Sequence, residues 1–321
     1  MDDQSVPQAE TSRLSGVFRH RVTIALVAAG ALLPVVVSYP TTESAAAAAV
    51  NYVAMGDSYT SGPDIPTQYG SPAGCLRSMK NYPADTTNAL GLTLDDVSCS
   101  GATTANITTT GESVTGGTNI VQIDAVTKLI NVVSLQVGGD DLGFTSILEN
   151  CIALTPWGPT KVGANCKSYY DPNGKDSLAA AIQVLQPKIV SILEAVQSDA
   201  ASNAKVFVVG YPDILPQTGA CWPSMPFETS DAQYLNQTEK NLNTALDNAV
   251  AAANAASTTG TFAYYVDTYT PSENYNACTS SSTRWVEPIV PKNPAYPVHP
   301  NATGEAGMAG LLEAAMKAEK I

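Results

Sequence analysis

Five short apolar runs, the later ones separated by helical patterns, constrain this chain more than any other feature. The runs are Tyr52–Met55, a weaker one at Leu92–Val97, then Val132–Val137, Val206–Val209 and Phe262–Val266. Between the later runs, Leu178, Ile182, Leu185, Ile189, Leu193 and Val196 recur at spacings of three and four, which predicts one buried helix face. Pro187 falls inside that pattern and is expected to kink it. Ser230 and Gln233 have capping-box spacing ahead of a helix reaching about Ala255, and a last helix is expected from near Thr303 to Lys317. Strands alternating with helices fold as a parallel sheet covered on both faces, an α/β architecture. Ligands of such sheets sit beyond the carboxyl ends of the strands. The residues of interest are then Gly56–Ser58, Cys99–Gly101, Gly138–Asp141 and the loop before the last helix.

The chain has 321 residues, enough to bury a full core, and a formal charge of −13. An acidic chain lacks the basic face that nucleic acid or an anionic membrane requires, so neither is expected as a main partner. Residues 1–48 have the order of an export signal: Arg13, Arg19 and Arg21, an apolar stretch from Val22 to Val37, then the small residues Ala45–Ala49. An uncleaved membrane anchor is the alternative. The apolar core is short for that and is broken by Pro34. The functional domain is read as 49–321, with 25 acidic against 13 basic residues. Its six cysteines, Cys75, Cys99, Cys151, Cys166, Cys221 and Cys278, are an even set in an exported chain and read as three disulfides of undetermined pairing. With no CxxC pair and a single histidine after residue 48, neither a metal nor a cofactor is expected.

That histidine is His299, in "PVHPNATG". An imidazole general base in this domain can only be His299. Pro300 forces His299 into an extended conformation, in a loop entering the last helix. A lone surface histidine is the bland alternative. Ser58, in "NYVAMGDSYTSG", follows the first strand run among turn-forming residues, and a turn serine is the reading to beat. At the first turn of a helix its oxygen would be exposed and would face free backbone N–H groups.

"GDSYTSG" at 56–62, "CSGATT" at 99–104, "VGGDDLGF" at 137–144 and "HPNATG" at 299–304 resemble, in order, the four sequence blocks of the SGNH (GDSL-type) hydrolases. With "RWVEP" at 284–288, the chain resembles the secreted, disulfide-bonded esterases and lipases of actinobacteria. The resemblance implies a three-layer α/β/α sandwich on a flavodoxin-like, mostly parallel five-stranded sheet. It implies Ser58 as nucleophile, His299 as its base, and the backbone N–H groups of Ser58 and Gly101 as oxyanion donors. It also implies the pairing Cys75–Cys99, Cys151–Cys166 and Cys221–Cys278. The implied substrate is a small-molecule or lipid ester, with no obligate protein partner and a monomeric, extracellular enzyme.

Two positions depart from the family pattern. Tyr296 stands three residues before His299, where most members have aspartate. The expectation is a Ser–His dyad whose imidazole is oriented by a backbone carbonyl, that of Tyr296, with Asp267 and Glu287 as fallbacks. Asp140 stands where the family has the oxyanion asparagine. An ionised carboxylate has no proton to donate, and like charges about 4 Å apart repel by roughly 4 kcal/mol near a protein surface. Three readings follow: a protonated, donating Asp140; a weakened hydrolase using two backbone donors; or a binding protein that has lost hydrolysis. A carbohydrate acetyl esterase is a substrate alternative. A glycosidase built on Asp140 and Asp141 is disfavoured, because adjacent strand-end side chains point apart. The loops at 63–74 and 152–175 are expected to shape an acyl pocket, or else to be plain surface loops.

Overall fold

The computed structural model describes residues 50–154 and 165–321. The 1–48 segment read as an export signal lies outside the described residues, as does 155–164 of the 152–175 loop. Five strands, β1 (Asn51–Gly56), β2 (Thr93–Asp96), β3 (Val132–Gln136), β4 (Lys205–Val209) and β5 (Ala263–Val266), form one all-parallel sheet. Their order is β2-β1-β3-β4-β5, the flavodoxin-like order. The strand runs were legible because the central strands are buried on both faces, so nearly every residue is apolar. β2 read weakly because it is an edge strand with exposed Thr93 and Asp95.

Alternation along each strand divides the core into two layers. Tyr52, Ala54, Val132, Phe207 and Val209 face α9 (Ala302–Ala318), through Met308, Leu312 and Met316, and α2 (Tyr82–Leu90), through Tyr82. Val53, Met55, Val133, Leu135, Val206 and Val208 face the opposite way. They pack on Ile182, Leu185 and Ile189 of α6 (Ser177–Asp199) and Leu242, Leu246 and Val250 of α7 (Thr229–Ala256). Helix, sheet and helix are the three layers.

Two local expectations change. α6 runs through Pro187 without a break, since Pro187 and the Gln183 carbonyl it leaves unpaired are on the exposed face. α7 begins at Thr229, so Ser230 is inside the first turn and not its cap. Asp231 in that turn accepts from the N–H groups of Cys166 and Lys167 (3.2 and 3.0 Å), docking the start of α5 (Asn165–Tyr170).

The three disulfides are Cys75–Cys99, Cys151–Cys166 and Cys221–Cys278. The first holds the turn after β2, the second joins α4 (Phe144–Leu154) to α5, and the third ties the loops after β4 and β5 across 57 positions. Closing a loop of that length in the unfolded chain stabilises the fold by about 4 kcal/mol on the chain-entropy account. Replacing Cys221 and Cys278 by serine is expected to lower the free energy of unfolding by about that amount, read from the urea midpoint. A change under about 1 kcal/mol contradicts the assignment of this bridge as a main stabiliser.

Candidate active site

β1 ends at Gly56, where a Cβ would meet Thr60 Oγ1 at 2.1 Å and the Gln136 carbonyl at 2.5 Å. Only glycine lets the chain pass there. Asp57 then caps the one-turn α1 (Ser58–Ser61): its Oδ1 accepts from Tyr59 N–H at 2.9 Å and its carbonyl from Thr60 N–H at 3.1 Å. Ser58 is the first residue of that turn and is buried.

His299 arrives from the other end of the chain. Its Nε2 lies 2.7 Å from Ser58 Oγ across 241 positions of sequence. The Nδ1–H donates to the Pro297 carbonyl at 2.8 Å, which leaves Nε2 as the acceptor facing the serine hydroxyl. The orienting carbonyl is therefore Pro297, not Tyr296. The Tyr296 carbonyl is taken by His299 N–H at 3.1 Å, which closes a turn through Val298 at φ +61° and swings the neighbouring carbonyl under the ring. The fallback carboxylates are occupied elsewhere. Glu287 accepts from Lys292 N–H, the backbone and side-chain N–H of Asn293 and the Asn301 side chain, and Asp267 accepts from the Tyr269 and Thr270 N–H groups at the start of α8 (Tyr269–Ser272). Burial raises the Glu287 pKa, but those donors outweigh it and hold the carboxyl below its ordinary range. Burial lowers the His299 pKa to about 4, partly opposed by the Pro297 carbonyl, so the imidazole is a neutral base at pH 7.

Asp140 and Asp141 follow β3 but meet different surroundings. Asp141 accepts from the Thr104 N–H and hydroxyl (2.8 and 2.5 Å) and pairs with Lys188 at 3.3 Å. Asp140 has no such partners among the described residues. Burial first, and the Asp141 charge second, raise its pKa to about 6. One member of the pair is thus committed to holding the start of α3 (Thr104–Thr108), which removes the glycosidase arrangement.

Ser58, His299 and Asp140 line one solvent-open cleft, walled mainly by Leu142, Ile147, Leu148, Ile214, Leu235 and Leu242. Gly101 is not among its lining residues. It sits at φ +101° on the exposed turn after β2, which the Cys99 N–H to Gly56 carbonyl bond (3.0 Å) fastens beside β1. Among the described residues, no acceptor pairs with the N–H of Ser58 or of Gly101. No group of three metal-ligating side chains occurs among them either.

Tyr211 belongs to none of the four sequence blocks, yet its hydroxyl donates to Asp57 Oδ2 and accepts from Gly139 N–H at 3.0 Å. It thereby joins the nucleophile turn to the loop carrying Asp140. Its position just past β4, at the carboxyl edge of the sheet, was the available signal. Asp57 is fully buried; burial, then the Asp140 charge, raises its pKa well above the ordinary carboxylate range.

A hydroxyl and an imidazole in contact at the carboxyl edge of a parallel sheet are the arrangement of a serine hydrolase. The chain belongs to the GDSL-like Lipase/Acylhydrolase family, which it matches over residues 54–306. It is 33% identical to Lipase 2 of Streptomyces coelicolor over 90% of this chain and 94% of that one. It is 30% identical to an esterase of Streptomyces scabiei, covering 80% and 81% of the two chains. Among solved structures it resembles phospholipase A1 from Streptomyces albidoflavus, at 25% identity and TM-score 0.66 over 83% of this chain and 99% of that one.

Proposed function

We propose that this chain hydrolyses carboxylic esters through an acyl-enzyme on Ser58, with His299 as general base. The 2.7 Å contact between Ser58 Oγ and His299 Nε2 carries this reading. As Oγ attacks the ester carbonyl, its proton passes to Nε2. The imidazolium then gives that proton to the departing alkoxide, which leaves as the alcohol. Water repeats the sequence on the acyl-enzyme, with Nε2 taking its proton and returning it to Ser58 Oγ as the acid leaves. The carbonyl oxygen, negative in each tetrahedral intermediate, is met by the N–H groups of Ser58 and Gly101 and by Asp140. Asp140 serves as a donor only while protonated, which its raised pKa favours in mildly acidic solution.

The apolar cleft suits the acyl portion of a lipid or simple acyl ester. The named lipase and esterase relatives support the same substrate class over an acetylated carbohydrate. Three disulfides support export, since such bonds persist in oxidising compartments.

The test is labelling of the purified chain, from residue 49 onward, by a fluorophosphonate, with the modified peptide mapped. Modification at Ser58, together with turnover of a short-chain nitrophenyl ester, is the expected result. A chain that neither labels nor turns over at any pH from 4 to 9 is a binding protein on this fold, and the proposal falls.

A further inference from the structure

In the mechanism above, which this inference presupposes, His299 becomes an imidazolium at each proton transfer. A carboxylate on Nδ1 would stabilise that cation and hold the ring. Here Nδ1–H meets only the neutral Pro297 carbonyl, and the carboxylates of Glu287 and Asp267 are engaged with other donors. The ring must be held, and its charge met, by something else.

Tyr59 lies where both tasks can be done. Its ring centroid is 4.8 Å from that of His299, with the planes inclined by 38°, so the two rings pack against each other at a tilt. Its hydroxyl donates to the Val298 carbonyl at 2.6 Å. Val298 is the β-branched residue at φ +61°, a conformation that persists only where its surroundings hold it. The same turn of chain presents the Pro297 carbonyl to Nδ1. Tyr59 is itself fixed: it is buried, and packs edge-on against Tyr211 at 5.2 Å and Phe144 at 6.0 Å. Phe144 and Tyr296 flank the imidazole nearly perpendicular to it, at 6.3 and 5.3 Å.

We propose that Tyr59 is the positioning residue that stands in for the missing carboxylate. Its hydroxyl pins the Val298 turn, and its ring packs against the imidazole where the positive charge develops. Because Tyr59 follows Ser58 in α1, one turn of helix sets both the attacking oxygen and the orientation of its base. The ionisable groups around Tyr59 are Asp57 on its own turn, Asp140 after β3 and Glu239 on α7. Burial first, then the charges of Glu239, Asp57 and Asp140, push the phenol pKa well above its ordinary value. The hydroxyl therefore remains a donor throughout the working pH range.

The test compares Tyr59→Phe, which keeps the ring and loses the hydroxyl, with Tyr59→Leu, which loses both. On a short-chain nitrophenyl ester, kcat is expected to fall about 5–10-fold in the first and about 10²-fold in the second, with KM within about threefold of wild type. Fluorophosphonate labelling of Ser58 slows in parallel. Independently of turnover, the downfield proton resonance of His299 Nδ1–H is expected in wild type and Tyr59→Phe, and is lost or broadened in Tyr59→Leu. Wild type that fails to label removes the hydrolytic reading, while the resonance still reports on positioning. The inference is overturned if Tyr59→Leu keeps that resonance unchanged, if both variants retain wild-type kcat, or if the loss appears in KM alone. Tyr59→Phe keeps the test decisive where the leucine variant does not fold.

Discussion

Replacing His299 by alanine is expected to lower kcat/KM for a nitrophenyl ester by about 10⁴–10⁶-fold while leaving the fold intact. No second imidazole is available after residue 48 to take its place. The buried acids beside Ser58 are poor substitutes. Asp57 is committed to Tyr211 and the Tyr59 N–H, and Asp140 is the acid proposed above to meet the oxyanion. Ser58→Ala should lose activity to the same floor, and the double variant should fall no further, because the two groups act as one unit. The residual rate then measures what the backbone donors and the cleft contribute alone. His299→Ala that retains a tenth or more of wild-type kcat/KM removes the imidazole from the mechanism.

The Ser58–His299 contact was legible because each residue lies at a strand end or a helix entry, where a parallel sheet collects its site. The strand runs and helix faces were legible for a similar reason, since burial on both faces of β1, β3 and β4 leaves an apolar signature. The choice between Tyr296 and Pro297 was not. Which carbonyl meets the imidazole depends on a left-handed turn at Val298, and valine carries no sequence signal for that conformation. Tyr211 was hidden by the 154 positions separating it from the Asp57 it bonds. The family pattern singled out Asp140 in "GGDD" but gave no part to Asp141. Thr104 and Lys188, brought in from elsewhere in the chain, make one an anchor and leave the other facing the cleft.

Asp140 is the position from which the second large effect is expected, and its sign depends on pH. Its carboxyl, raised to about 6 by burial and by Asp141, can donate to an oxyanion below that value and only accept above it. Two pH units higher, about one molecule in a hundred still carries the proton. Asparagine donates at every pH. Asp140→Asn is therefore expected to change kcat/KM little at pH 5, raise it about tenfold at pH 7 and raise it up to about 10²-fold at pH 8. The acid side is governed by His299, which is neutral, and so able to accept a proton, only above about 4. Wild-type activity should then be confined to a band between about 4 and 6 and fall as pH rises. The variant should share the acid limb and lose the alkaline one. Asp57, Asp141 and Glu112 are the other acids facing this region. Glu112, raised to about 7 by burial and then by the Asp140 charge, should titrate at lower pH once that charge is gone. Matching pH profiles for the two proteins, with no gain in the variant at pH 8, would place the Asp140 carboxyl away from the developing negative charge and leave oxyanion stabilisation to backbone N–H groups alone.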